Sequence, residues 1–214
     1  KERTINELGV LYDTKEIAFT RMVSGFLEIM RFNGAFNESI FNAYTGNDGN
    51  GYLLSNKEIK WLPGLLPSQR NTPRFIYDIT EQRKRLRSFD LVSSAKYRNW
   101  IQSCVDEFVL GEEVYNAMAK IILNELVKSG IVVAMPSSPG YHIWALNKEK
   151  VFISTKVRQF VCDLCGSSVS VAKKNEPTWT GAPCLRNNCG GHLELREDAS
   201  LNYYARLYSS GDLV

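Results

Sequence analysis

The chain has 214 residues, 44% hydrophobic and 23% charged, which is globular composition with apolar material for one domain or two small ones. It has no run of about 18 uncharged apolar residues, which excludes a membrane-spanning helix, and no secretory leader is visible. The net charge of +3 is too small to argue for nucleic-acid binding by itself, and four thiolates holding one Zn2+ would lower it to about +1.

The pattern reads as α+β: an N-terminal mixed region, a winged-helix-like domain and a C-terminal zinc ribbon, with no internal repeat. The first region spans residues 1–90. "DTKEIAFTRMVSGFLEIMRF" is predicted as a helix capped by Asp13 or Thr14, with Ile17, Phe19, Met22, Val23, Phe26, Leu27 and Met30 as its apolar stripe. "YTGNDGNGYLL" reads as an exposed loop, because Gly and Asn accept turn conformations. The prolines of "WLPGLLPSQRNTPRFIYDI" forbid a long helix, "RFIYDI" suits a short strand, and "TEQRKRLRSF" reads as a basic helix capped by Thr80.

The second region spans 91–155. "SSAKYRNWIQSCVDEFVL" fits a helix capped by Ser93 or Ser94. "GEEVYNAMAKIILNELVKSG" carries Val114, Met118, Ile122 and Leu126 every four residues and ends at Gly130, placed for a left-handed cap. "IVVAM", "PSSPG" and "YHIWAL" then form a hairpin. Helix, helix and hairpin is the winged-helix pattern. The third region, 156–200, holds four of the five cysteines, and residues 201–214 read as an exit helix. The chain does not begin with Met and stops in "YYARLYSSGDLV", so it reads as a piece of a larger protein.

The cysteine spacing is Cys162-x2-Cys165, eighteen residues, then Cys184-x4-Cys189. A close pair on a tight turn offers two sulfurs to one ion, and two facing turns complete a tetrahedron. Gly166, Gly190 and Gly191 follow the pairs, and the longer second spacing requires Leu185–Asn188 to bulge. A disulfide framework requires an oxidising compartment, and a redox C-x-x-C requires a strand-to-helix setting where strands are expected instead. Structural Zn2+ is therefore the expected cofactor, its four sulfurs leaving no position for an activated water. His192 is the alternative to Cys189 as a ligand, against a plain surface role. Cys104 reads as a buried structural cysteine sharing a helix face with Trp100, Ile101 and Phe108.

No phosphate loop, Gly-rich nucleotide fingerprint or catalytic triad stands out, and two histidines leave little acid–base material. "VDEFV" at 105–109 reads as a solvated helix face. The fragment itself is expected to be non-catalytic. Residues 74–98 hold Arg74, Arg83, Lys84, Arg85, Arg87, Lys96 and Arg98 against Asp78, Glu81 and Asp90. These basic residues except Arg74, together with Lys173 and Lys174, are the nucleic-acid-binding candidates, with Tyr97 and Trp100 available for stacking. The expected reading helix of the wing motif, Glu112–Lys128, has Glu112, Glu113 and Glu125 against Lys120 and Lys128, a poor match for phosphates.

"YHIWALNKEKVFIST", the C-x-x-C-G, "WTGAPCLRNNC" with "GGHLEL", and "NYYARLYSSGDLV" resemble a stretch of large bacterial DEAD/DEAH-box helicases of the anti-phage defence and DNA-repair types. The resemblance covers about residues 110–214. It implies an accessory winged helix and zinc ribbon packed against the motor lobes of a cytoplasmic parent chain, in contact with DNA or with defence-system proteins. ATP and Mg2+ would belong only to the parent's motor domains, whose motifs this sequence lacks. A structural scaffold or protein-docking module without nucleic-acid binding is the alternative.

Overall fold

The computed structural model describes residues 16–54, 72–79, 86–105, 111–152, 154 and 156–196. The fold is α+β, divided into two compact units, Lys1–Phe152 and Ile153–Val214. No described helix is long and apolar enough to cross a membrane.

In the first unit, α1 (Glu16–Phe32) buries Met22, Gly25, Phe26, Ile29 and Met30. The buried stripe is narrower than the sequence pattern suggests, and Ile17 lies 56% exposed. The cap residues Asp13 and Thr14 lie outside the described residues. The short helix α2 (Asn42–Gly46) follows a 3-10 turn at Ser39–Phe41. The segment expected as an exposed loop is anchored at its start. Tyr44 and Thr45 are fully buried, and the Tyr44 hydroxyl donates to the Pro73 carbonyl at 3.2 Å. Asp48 and Gly49, with φ of 57° and 79°, then turn the chain back.

β1 (Ile76–Ile79) is the strand expected from "RFIYDI". Beyond it, residues 80–85 of the expected basic helix lie outside the described residues, whereas Leu86–Phe89 form a turn with Leu86 and Phe89 buried. That apolar pair draws the segment onto the core in place of a helical continuation. β2 (Asp90–Leu91) pairs parallel with β1. Helix α3 (Ala95–Cys104) starts at Ser94, and α4 (Glu112–Lys128) ends before Gly130, which adopts φ 71° as the left-handed cap requires. β3 (Val132–Met135) and β4 (Tyr141–Leu146) form the expected hairpin.

The sheet order is β2-β1-β4-β3, with Ile76 opposite Trp144 and Ile79 opposite Tyr141. Residues on either side of position 90, which the sequence reads as two regions, thus share one sheet. They also share a core. Phe75 and Phe89 meet edge-on at 5.7 Å, Phe41 packs on Phe75 at 5.7 Å, and Phe26 meets Tyr97 at 4.7 Å. Each such aromatic pair adds about 0.5–1.5 kcal/mol beyond the area it buries.

The second unit is a three-stranded antiparallel sheet, order β6-β5-β7, from β5 (Val157–Cys162), β6 (Ser168–Ala172) and β7 (Leu193–Arg196). Phe160, Val169, Val171, Trp179 and Leu193 are buried, the alternating side of the strands forming a very small core. A core of that size is marginal without a staple.

Candidate metal centre

The first cysteine turn closes the β5–β6 hairpin. The Cys162 amide donates to the Ser167 carbonyl at 2.8 Å and the Gly166 amide to the Cys162 carbonyl at 3.0 Å. Gly166 takes φ 70°, which a side chain there would resist. The second turn precedes β7. The Cys184 amide donates to Gly191 at 2.9 Å and the Cys189 amide to Arg186 at 3.1 Å. Its two extra residues are accommodated by Asn188, whose φ of 61° reverses the chain. The bulge required by the longer spacing is therefore a left-handed asparagine, one of the few non-glycine residues that tolerates the conformation.

Four ligand atoms converge from these turns. The sulfurs of Cys162, Cys165, Cys184 and Cys189 all lie within 4.8 Å of one another. Across the turns, Cys162 Sγ is 3.7 Å from Cys189 Sγ, and Cys165 Sγ is 3.6 Å from Cys184 Sγ. A tetrahedron with Zn–S bonds of about 2.3 Å has edges of about 3.8 Å, so the donor set fits Zn2+. All five cysteines are free thiols, and the separations far exceed a covalent S–S bond of about 2.05 Å. His192 is exposed and is not part of the group. Cys104 is half-buried on α3.

The backbone points donors at the sulfurs. The Cys165 amide is 3.5 Å from Cys162 Sγ and the Arg186 amide 3.4 Å from Cys184 Sγ. Ser167, with its hydroxyl 3.2 Å from Cys165 Sγ and its backbone also bonded there, holds that thiol down to about 6. Burial pushes the Cys184 thiol up. A bound metal ion would remove this conflict by replacing the competing protons with one divalent charge.

Two further residues shape this geometry, Asp163 with no motif signal and Gly191 as one of the glycines that follow the pairs. Asp163 spans the turns: its amide donates to the His192 carbonyl at 3.0 Å, and its Oδ1 accepts the His192 amide at 2.8 Å. The same Oδ1 lies 3.7 Å from Cys162 Sγ. The partners are 29 positions apart, so only the fold reveals the clasp. Gly191 sits beneath it. A Cβ there would lie 2.5 Å from both Asp163 Oδ1 and Cys162 Sγ, whereas one at Gly190 would meet nothing.

The nucleic-acid candidates scatter. Arg83, Lys84 and Arg85 lie outside the described residues, and Arg87 is exposed. Lys96 Nζ donates to Asn33 at 2.8 Å and lies 3.7 Å from Asp90, which also pairs with Arg74 at 3.4 Å. Arg98 is ion-paired with Glu112. Both lysines of α4 are engaged as well, Lys120 with Asp78 and Lys128 with Glu125. Tyr97 and Trp100, expected as stacking platforms, are 0% and 3% exposed. They pack against α1 instead, so the stacking role is withdrawn. Of "VDEFV", Val105 is buried rather than solvated, and residues 106–109 lie outside the described residues. Lys173 and Lys174 are exposed in the 3-10 turn that follows β6.

Compared with family models, with curated proteins and with solved structures, the chain finds no match.

Proposed function

We propose that the chain is a non-catalytic accessory module of a helicase-like protein, with its second unit organised by one structural Zn2+. The observation that carries the metal is the convergence of four sulfurs within 4.8 Å on two hairpin turns. A shell of four cysteine sulfurs is closed, so the ion would act in folding and have no open position for a substrate or water. Support for a winged helix at 91–155 comes from helices α3 and α4 followed by the β3–β4 hairpin. The helicase relationship, with its bacterial defence or repair setting and its ATP-binding motor lobes as partners, rests on the stretches Trp144–Asn147, Trp179–Cys184 and Tyr203–Tyr208.

The scaffold reading is favoured for the first unit by a specific observation. Arg74, Lys96, Arg98, Lys120 and Lys128 all face acidic partners of the same chain. A helix whose lysines are compensated in this way has little charge left for phosphates.

Metal analysis of protein purified without added zinc tests the proposal. One equivalent of zinc, lost in Cys165→Ser, is the expected result. Less than half an equivalent, or retention of the metal in the variant, would defeat it.

A further inference from the structure

We propose that the end of the three-stranded sheet remote from the thiol cluster, carrying Lys156, Lys173 and Lys174, binds the phosphodiester backbone of nucleic acid. The inference deepens the accessory-module reading and rests on it, because the sheet that gathers these lysines is the one organised by the metal.

Lys156 enters β5 and Lys173 leaves β6. The register pairs Val157 with Ala172, and the Lys173 amide donates to the Lys156 carbonyl at 2.9 Å. Two residues seventeen apart in sequence are thereby fixed side by side, with Lys174 next in the turn. All three are exposed, and none has an ion-pair partner among the described residues. The acid nearest in the chain, Glu176, is already bound to Arg158 at 3.2 Å.

Among the described residues, and with one Zn2+ bound, the sheet is electrically polar along its strands. Four thiolates and one Zn2+ place a charge of about −2 at the Cys162 end. The lysines stand at the Val157 end, about 17 Å away at the usual rise of a strand. An anionic polymer is therefore attracted to one end and repelled from the other. Among the described residues of the second unit, Val157 is the single large apolar side chain exposed at the lysine end. That is too little to anchor in a bilayer, which favours nucleic acid over an anionic membrane.

The test uses the zinc-loaded 214-residue chain and a fluorescein-labelled oligothymidine, with anisotropy read between about 50 and 200 mM salt. Wild type should bind with a falling log–log salt dependence. The Lys156→Ala/Lys173→Ala/Lys174→Ala variant should flatten that slope by about 2 to 3, at roughly 0.7–0.9 per lost phosphate contact. Lys128→Ala, in the other unit and already ion-paired, should leave it unchanged. Zinc content is measured for every variant, so a folding failure shows as lost metal. In that case the single variant Lys174→Ala, with an expected change of about 0.7–0.9, decides the outcome. Zinc-loaded wild type that ignores the oligonucleotide overturns this inference alone. An unchanged slope in the metal-loaded variants also overturns it, as does binding to phosphatidylserine vesicles without binding to the oligonucleotide. A wild-type chain without zinc overturns the metal reading and this inference together.

Discussion

The Trp100 indole occupies the space that a side chain on residue 25 would need, and its Nε1–H donates to the Met22 carbonyl at 2.9 Å. Helices α1 and α3 are locked at this crossing. Gly25 costs helix propensity of about 1 kcal/mol relative to alanine. A methyl group there must displace a 3% exposed aromatic ring, and overpacking of that kind costs about 1–3 kcal/mol. Gly25→Ala should therefore lower the melting temperature of the first unit, although alanine is the better helix former. A melting temperature equal to or above wild type would show that the ring can move aside.

Asp163 and Gly191 join the cysteine turns and should behave as part of the centre. Groups that orient metal ligands typically change metal affinity by about 10–100-fold when removed. Asp163→Ala should weaken zinc by a factor in that range in competition with a chromophoric chelator. Asp163→Asn keeps an oxygen to accept the His192 amide and should recover most of the loss. Gly191→Ala should be at least as damaging as Asp163→Ala, because its Cβ would press on both the carboxylate and Cys162 Sγ. Gly190→Ala, facing open space, should bind as wild type does.

Zinc affinity should rise with pH. Protons compete with the ion for the same sulfurs. In the metal-free centre burial keeps Cys184 protonated at neutral pH, so zinc uptake releases protons there. Cys165, held to about 6 by Ser167, is ionised above that pH and protonated below it. Fewer protons are displaced above pH 6 than below it, so affinity should fall more steeply per pH unit on the acid side. Chelator competition at several pH values on either side of that point reads this directly. An affinity independent of pH would contradict thiolate ligation.

Tyr97 is a buried phenol whose hydroxyl makes no hydrogen bond of normal geometry. Burial raises its pKa well above ten, followed by the repulsion of Asp90, with Asn33 opposing weakly. The folded state keeps the proton that the unfolded chain loses near about pH 10. Its contribution to stability is thus complete below about pH 10 and is lost as pH rises above it. Tyr97→Phe should leave neutral-pH stability unchanged or raised, since an unsatisfied buried hydroxyl costs about 1–3 kcal/mol. It should also reduce the alkaline loss. Denaturant melts at neutral pH and above about pH 10 compare the two.

Local patterning made much of this chain legible. The apolar positions of α4, Gly130 as its stop, and the "IVVAM"–"YHIWAL" hairpin each depend on neighbours a few residues away. The cysteine cluster was legible for the same reason within each pair, since C-x2-C and C-x4-C each describe one turn. The exposed-loop reading of Tyr44 and the helical reading of Leu86–Phe89 failed because both segments are held by the same distant aromatic core. Phe89 meets Tyr44 at 5.3 Å across 45 positions.

The amino-acid order by itself determined helices α1, α3 and α4, the β3–β4 hairpin and the two cysteine pairs, because each is set by interactions along a few consecutive residues. Tertiary structure decided three further things. It placed β1 beside β4, paired the basic residues Arg74, Lys96 and Arg98 with acids elsewhere in the chain, and brought Asp163 to His192. Burial and ion pairing depend on which distant surfaces meet, and residue type alone does not specify that meeting. An arginine in a basic run and an arginine held by a carboxylate are the same letter until the chain folds.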